Sequence, residues 1–264
     1  MRVDLYLYKW GHTRSRQKAQ DLIAEKAVTI DGCVIAKSSF DIDETVEHTV
    51  KIVETCPYVG RGGLKLEGAI QSFGLSVKGL TAMDIGASTG GFTDCLLRNG
   101  AERVFAIDSG YDQLAESLRR DPRVVNIERC NARNLSLETT GGTLCDFAVI
   151  DVSFISQTYI LPALKSVLRP EACVVSLIKP QFEAGQAGLG KNGIVKNAAY
   201  RFLSVKRVLH TAEEQHLFCK ALMRSPIKGG DGNVEYLALF ILKSAPVEQS
   251  AVTDVMIKRI TDRD

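Results

Sequence analysis

The chain of 264 residues is 45% hydrophobic and 24% charged, the make-up of an ordinary globular protein long enough for one sizeable core plus a small module. Its formal net charge of +2 is too small to announce a polyanion partner, so any nucleic-acid affinity must come from how charge is distributed. Seven cysteines without a C-x-x-C pair give neither a zinc pattern nor a disulfide framework; with a charged N-terminus and no long apolar run, they predict a cytoplasmic, metal-free protein without signal peptide or membrane span.

Asp4 to Trp10 form a short amphipathic helix stopped by Gly11, and Thr13 or Ser15 caps a second helix with Ala19, Leu22 and Ile23 on one face. Val28-Thr29-Ile30, Asp31-Gly32 and Cys33-Val34-Ile35 read as strand, type I′ turn and strand. Between the helices, Lys9 to Lys18 carries four fixed positive charges and no acid. Such runs are usually solvated faces, but here the run meets a turn and a helix start, where cations can clasp phosphates. Through Asp4-Leu5, Ser15-Arg16-Gln17-Lys18-Ala19, Leu22-Ile23 and Val28-Thr29-Ile30-Asp31-Gly32, the segment 1–56 resembles an S4 domain, a small α+β RNA-binding fold. The resemblance implies RNA contacts from Arg14, Arg16 and Lys18. It departs at Lys26, where the family usually has glycine. An acidic stretch with Asp41, Asp43, Glu44 and Glu47 reads as a linker, Val50 to Val53 closes the module, and Pro57 marks the boundary. Residues 57–63, with Tyr58-Val59-Gly60-Arg61-Gly62-Gly63, read as a flexible basic linker in which Arg61 can touch phosphate.

The domain 64–264 opens with a helix, and from Ala82 onward strands (82–85, 103–107, 124–128, 146–150, 173–178) alternate with helices (91–99, 111–119, 156–168, 197–211), the pattern of a parallel sheet covered on both faces. Leu217–Met223 and Val234–Leu242, joined by Lys228-Gly229-Gly230-Asp231-Gly232-Asn233, end the chain in a hairpin. That fits the seven-stranded, Rossmann-like sheet of class I methyltransferases. The run Asp84-Ile85-Gly86-Ala87-Ser88-Thr89-Gly90-Gly91-Phe92 is a strand ending in an acid, then a small-residue turn and a helix start. Asp108 ends the next strand, where a carboxylate meets the hydroxyls of a bound ribose. Ser88 replaces the second glycine of a dinucleotide fingerprint, and Asp84 stands where a carboxylate can meet an ammonium rather than a diphosphate. S-adenosylmethionine, which carries an ammonium and no phosphate, is the expected cofactor; the alternative is a tight turn without a ligand. Asn131 stands where an adenine-contacting residue is expected.

Asp151 and Lys179 end two further strands, Glu235 starts the last one, and Lys65 opens the helix before the sheet. All four can meet on the rim where ligands of such sheets bind. A ribose 2′-hydroxyl is a poor nucleophile, and a partly desolvated lysine can remove its proton while carboxylates orient the partners. Singly, each residue is more economically a surface ion pair or strand-end cap; four on one rim suggest a catalytic set.

Tyr58 to Leu66, Asp84 to Phe92, Asp151-Val152-Ser153-Phe154-Ile155-Ser156, Ile178-Lys179-Pro180-Gln181-Phe182-Glu183 and Gly232-Asn233-Val234-Glu235-Tyr236 together resemble the TlyA or hemolysin A family of S4-containing, FtsJ-like rRNA 2′-O-methyltransferases. The resemblance spans the chain. It implies a Lys65-Asp151-Lys179-Glu235 tetrad with Lys179 as base, and methyl transfer from S-adenosylmethionine to a cytidine 2′-hydroxyl of ribosomal RNA within ribosomal subunits. Two other readings are a non-catalytic RNA-binding ribosome-assembly factor and a membrane-active hemolysin. The intact tetrad speaks against the first, and the missing membrane segment against the second.

Overall fold

Apolar residues at helical spacing bury Val3, Tyr6 and Leu7 on α1 (Val3–Lys9) and Ala19, Leu22 and Ile23 on α2 (Arg16–Ala24). These helices cover a three-stranded antiparallel sheet of β1 (Val28–Ile30), β2 (Cys33–Val34) and β3 (Val50–Ile52), in the order β2-β1-β3. The computed structural model describes residues 1–13, 15–24, 26–53, 56–230, 232–244 and 250–262, and divides the chain into Met1–Pro57 and Tyr58–Asp264. Arg14 and Asp231 therefore lie outside the described residues.

In the first unit Ile30 pairs with Cys33 across a two-residue turn, with φ of 50° at Asp31 and 82° at Gly32, as a type I′ turn requires. Lys26 takes the left-handed conformation, φ 57°, in place of the family's usual glycine, at a cost of about 1 kcal/mol. The acidic stretch expected as a linker is instead part of this unit. Asp41 bridges to Arg2, Ile42 is buried, the Met1 ammonium donates to Ile42 O at 2.6 Å, and Lys9 pairs with Glu44 at 2.7 Å.

Asp4 is the polar centre of the unit. Its fully buried carboxylate accepts hydrogen bonds from Arg2 (Nε 3.1 Å, Nη2 3.0 Å), Arg16 Nε (3.0 Å), Gln20 Nε2 (2.7 Å) and the Leu5 N–H (3.0 Å). Burial alone would push this carboxyl up, but the bonds from Arg2, Gln20 and Arg16 outweigh it and hold it well below the usual carboxylate range.

In the second unit α3 (Gly62–Phe73) precedes β4 (Thr81–Ile85), α4 (Gly91–Arg98), β5 (Arg103–Ile107), α5 (Glu116–Arg119) and β6 (Val124–Ile127). The chain continues through β7 (Cys145–Ile150), α6 (Leu161–Leu164), β8 (Leu168–Ile178), α7 (Pro180–Glu183), α8 (Ala198–Glu214), β9 (Leu217–Arg224), β10 (Tyr236–Leu242) and α9 (Asp254–Thr261). The seven strands lie in the order β6-β5-β4-β7-β8-β10-β9, with β4 to β8 parallel and β10 antiparallel to both neighbours. The central strands read as continuous apolar runs because helices cover both faces; Val104 to Ile107 and Phe147 to Ile150 are all buried.

Four expectations are corrected. The helix over 111–119 shrinks to α5, because Asp112 takes a left-handed φ of 57°. The helix over 156–168 becomes a single turn at Gln157–Tyr159 followed by α6, and β8 starts at Leu168 rather than 173. The supposed linker 57–63 belongs almost wholly to the second unit. Tyr58 is buried, the Val59 N–H donates to Asp94 Oδ2 at 2.9 Å, and α3 already begins at Gly62. A Cβ on Gly63 would lie 2.3 Å from the Tyr58 ring, and one on Gly91 would lie 3.0 Å from Gly60 O. The glycines serve close packing of two turns, not flexibility. The C-terminal helix α9 was not expected; buried Arg201 of α8 fixes its end by donating to Thr261 O at 3.0 and 2.9 Å.

Among the described residues no helix is long and apolar enough to cross a membrane, and no group of three or more His, Cys, Asp or Glu is placed to hold a metal.

Replacing Asp4 by asparagine should destabilise the first unit by about 2 kcal/mol at neutral pH, since the arginines lose a buried acceptor charge. Because the folded carboxyl is depressed, its contribution is present above roughly pH 4 and fades as the pH falls further. Hydrogen exchange followed by mass spectrometry should show faster exchange in D4N at pH 7 within 1–57 and unchanged exchange in β4 to β8; uniform protection in both proteins would refute the assignment.

Candidate active site

The five parallel strands end on one rim, at Ile85, Ile107, Ile127, Ile150 and Ile178, and β10 starts there because Tyr236 pairs with Ile178. Continuing that register sets Glu235 opposite Lys179. Lys179, extended at φ −108°, follows β8 directly and is the N-cap of α7, which Pro180 opens. Asp151 follows β7 and is held by its N–H to Ile85 O at 2.9 Å.

The four polar residues come together as two ion pairs. Lys65, from the first turn of α3, donates to Glu235 Oε2 at 2.6 Å. Lys179 Nζ lies 2.6 Å from Asp151 Oδ1 and donates to Ser153 Oγ at 2.9 Å. Lys65, Lys179 and Glu235 are buried, so each charge needs its partner. Gly229 completes the fit, since a Cβ there would fall 2.4 Å from Glu235 Oε1. The start of α3 overlies Asp151: a Cβ on Gly62 would sit 3.8 Å from Asp151 Oδ2.

Beside this set lies the turn after β4. Asp84 is fully buried; Thr93 Oγ1 of α4 donates to its Oδ2 at 2.6 Å, while Oδ1 has no hydrogen-bond partner. Burial pushes this carboxyl up to about 7, with Thr93 opposing and the Asp151 and Asp108 charges adding to the rise. An unsatisfied buried carboxylate oxygen fits an ammonium ligand, which supplies both the missing donor and the missing charge. Asp108 accepts from the Ser88 N–H at 2.8 Å and the Gly110 N–H at 2.7 Å, with Ser88 in a left-handed φ of 48°. Asp108 is thereby fixed at the rim, where a ribose would need it.

The glycines of the turn do less for a ligand than the sequence suggests. Gly86, at φ 89°, would carry a Cβ 2.5 Å from Asp151 O, and a Cβ on Gly90 would strike Leu118 at 2.2 Å. Gly91 faces Gly60, as described, and the Thr89 side chain would lie 2.9 Å from a Cβ on Gly60. Each close approach is to the protein itself. The Ala87 N–H donates to Ile107 O at 3.0 Å, so the turn is tied to β5. Phe92 is buried, against the position where a Cβ of Gly62 would stand. Asn131 caps the turn Ala132–Asn134, its Oδ1 accepting from Arg133 N at 3.1 Å and Nε at 3.3 Å; its amide NH2 is the group it can offer to a base.

Of the residues expected to touch RNA, Arg16 commits its Nε to Asp4 with its side chain 46% exposed. Lys18 lies in the first turns of α2, where its N–H donates to Ser15 Oγ at 3.1 Å. Arg61 precedes α3 and donates to Lys228 O at 3.4 Å. Thr93 and Ser153 escaped the sequence reading. Ser153 lies inside a run that carried the family resemblance and Thr93 just after one, but a lone hydroxyl gives no signal until its partner is known.

A sheet of this order with acids at the ends of its first two strands defines the class I methyltransferase fold. The model for FtsJ-like methyltransferases matches residues 58–241 and that for the S4 domain residues 1–47, and the chain belongs to the FtsJ-like methyltransferase family with an S4 domain ahead of the enzyme domain. Hemolysin A of Brachyspira hyodysenteriae is 43% identical over 246 residues, 92% of this chain and 100% of the relative. The 16S/23S rRNA (cytidine-2′-O)-methyltransferase TlyA of Mycobacterium tuberculosis is 45% identical over 235 residues, 89% of this chain and 87% of the relative. A solved structure from Streptococcus thermophilus matches with a TM-score of 0.80 at 41% identity, covering 99% of this chain and 94% of that one.

If Asp84 meets an ammonium, S-adenosylmethionine should bind more weakly as the pH falls below about 7, approaching tenfold per unit, as the carboxyl protonates. Calorimetric titration between pH 5.5 and 7 checks this. D84N should bind more weakly throughout and lose the pH dependence; an unchanged slope in D84N would assign the effect to another group.

Proposed function

We propose that the protein transfers a methyl group from S-adenosylmethionine to the 2′-hydroxyl of a cytidine in ribosomal RNA, within ribosomal subunits in the cytoplasm. The observation that carries this reading is the pair of sunken ion pairs, Lys65–Glu235 and Lys179–Asp151, on the rim beside the turn after β4. The relatives extend it: the Mycobacterium tuberculosis protein is named for cytidine 2′-O-methylation of 16S and 23S rRNA.

Asp84 would hold the ammonium of the donor, Asp108 its ribose, and Asn131 its adenine, with Ser88 and Thr89 at the turn. Bound there, the donor's sulfonium supplies an electrophilic methyl group, so the protein's task is to activate and aim the hydroxyl. Lys179 is the group for that task. It stands on a rigid strand end, and Asp151 and Ser153 fix its Nζ from one side. Once it has shed its own proton, Lys179 accepts the 2′-hydroxyl proton as the hydroxyl oxygen gains its methyl group, and Asp151 stabilises the ammonium so formed. Lys65 is neutralised by Glu235 and keeps a second positive charge beside the reacting oxygen, where developing negative charge is stabilised. Arg16 and Lys18 of the S4 domain, with Arg14 and Arg61, hold RNA phosphates.

Incubation with labelled S-adenosylmethionine and unmodified ribosomal subunits should place label on a cytidine ribose. Lys179→Ala should reduce the rate by roughly 10²- to 10⁴-fold while donor binding persists. Lys179→Arg should fail as well, because a guanidinium stays protonated. RNA bound without any label transferred by the wild type would instead support a non-catalytic assembly factor.

A further inference from the structure

We infer that Glu183 is a positioning residue that locks the Lys179–Asp151 pair together; this rests on the reading of Lys179 as base. Lys179 caps α7, and one helical turn later Glu183 points inward with only 3% of its surface exposed. Its Oε1 accepts from the Gln157 N–H at 2.8 Å and its Oε2 from Ser156 Oγ at 2.5 Å. Ser156 and Gln157 end the loop that leaves β7 at Asp151 and carries Ser153. One carboxylate thus ties the segment that bears the lysine to the segment that bears both its partners.

The tie continues into the sheet. Gln157, itself buried, donates through Nε2 to Leu177 O at 2.6 Å and accepts from the Ser176 hydroxyl. Leu177 and Ser176 belong to β8, the strand that delivers Lys179. Between the anchors at Asp151 and Ser156, Val152 and Ile155 pack against the core and the Phe154 ring meets that of Phe182 at 5.3 Å, contacts that lack the direction of a hydrogen bond. Ser153 and Phe154 are exposed, and Phe154 sits at a left-handed φ of 64°. The directed bonds of Glu183 at the far end of the loop therefore set where Ser153 meets Lys179.

A buried carboxylate is costly; Arg207 donates to the backbone oxygen of Glu183 at 3.4 Å, and its charge offsets part of that cost. Burial raises the carboxyl, against the hydrogen bonds from Ser156 and Gln157. An apolar residue of similar volume would fill the space without that cost, but it could not span two chain segments with directed bonds. The carboxylate is therefore explained by geometry, not by stability.

The test compares Glu183→Ala, Glu183→Gln and Ser156→Ala with the wild type in methyl transfer to ribosomal subunits. Each is also labelled with acetic anhydride, and modification of Lys179 is read by mass spectrometry. Glu183→Ala should lower kcat on the order of 10²-fold, as a misplaced reacting group does, and leave KM for both substrates near wild type. Lys179 should acetylate faster in it, because its ion pair loosens. Glu183→Gln keeps an acceptor for the Gln157 N–H and can donate to Ser156 Oγ, so it should restore most of kcat and the slow acetylation. Ser156→Ala, which removes one bond and little volume, should fall between them and covers the case in which the alanine variant at 183 does not fold. Wild-type kcat and wild-type Lys179 acetylation in Ser156→Ala, with Glu183→Gln no better than Glu183→Ala, would overturn the inference. Absence of transfer by the wild type would instead overturn the reading of the reaction, and the acetylation pattern would still report whether Glu183 orders the lysine.

Discussion

The antiparallel pairing of β10 with β8 is the contact on which the site depends. It sets Tyr236 opposite Ile178 and so brings Glu235, the residue before the strand, to the place where Lys179 leaves its own. A parallel strand in that position would have delivered Glu235 to the opposite edge of the sheet. Glu235 in turn neutralises Lys65, a buried cation from a helix that precedes the whole sheet. The register of β10 on β8 closes the 170 residues between Lys65 and Glu235, and the parallel pairing of β7 with β8 closes the 26 between Lys179 and Ser153. The charges buried there cannot be left unpaired, and a slip of the register by one residue would reverse every side chain of β10.

Around that pairing the protein uses backbone proximity to save space. The turn before α3 and the turn before α4 interlock through Gly60, Gly63 and Gly91, and Gly86 lets the turn after β4 lie on the backbone of Asp151. The turn after β4 and the polar rim are consequently one packed object. Any side chain added at these points would separate Asp84 and Asp108 from Lys179 and Asp151, whatever its effect on donor contacts. Two carboxylate oxygens there lack a hydrogen bond, but Asp151 Oδ1 has the Lys179 charge 2.6 Å away, whereas no cation among the described residues is placed on Asp84 Oδ1.

The first unit solves a similar problem at smaller scale. A sheet of three short strands and two helices offers a modest core, and the buried Asp4 gathers Arg2, Arg16 and Gln20 around one carboxylate. Arg16 is thereby a structural residue first, whatever its end does for RNA. A run of cations that reads as a simple phosphate-binding strip contains at least one member whose direction is set from inside.

Much of the enzyme unit was legible in the sequence because parallel strands covered on both faces are apolar runs ended by polar residues, and the polar ends mark the rim. Asp84, Asp108, Asp151 and Lys179 could be placed there from that pattern, and the Asp31-Gly32 turn from the φ values it demands. The residues 58–63 misled, because glycine encodes close approach and flexibility with the same letter; only the Tyr58 ring lying against Gly63 distinguishes them. Likewise 156–168 carried helical spacing, but the demands of β8, paired with β7 from Leu168, took part of it. The sequence by itself determined the strands, the turns and the residue types at the rim, since these follow from local periodicity and backbone preference. Only the tertiary structure decided which lysine meets which carboxylate, that Ser153 meets Lys179 and Glu183 meets Ser156, and that one oxygen of Asp84 has no hydrogen bond, because those facts depend on distances between segments that no local pattern records.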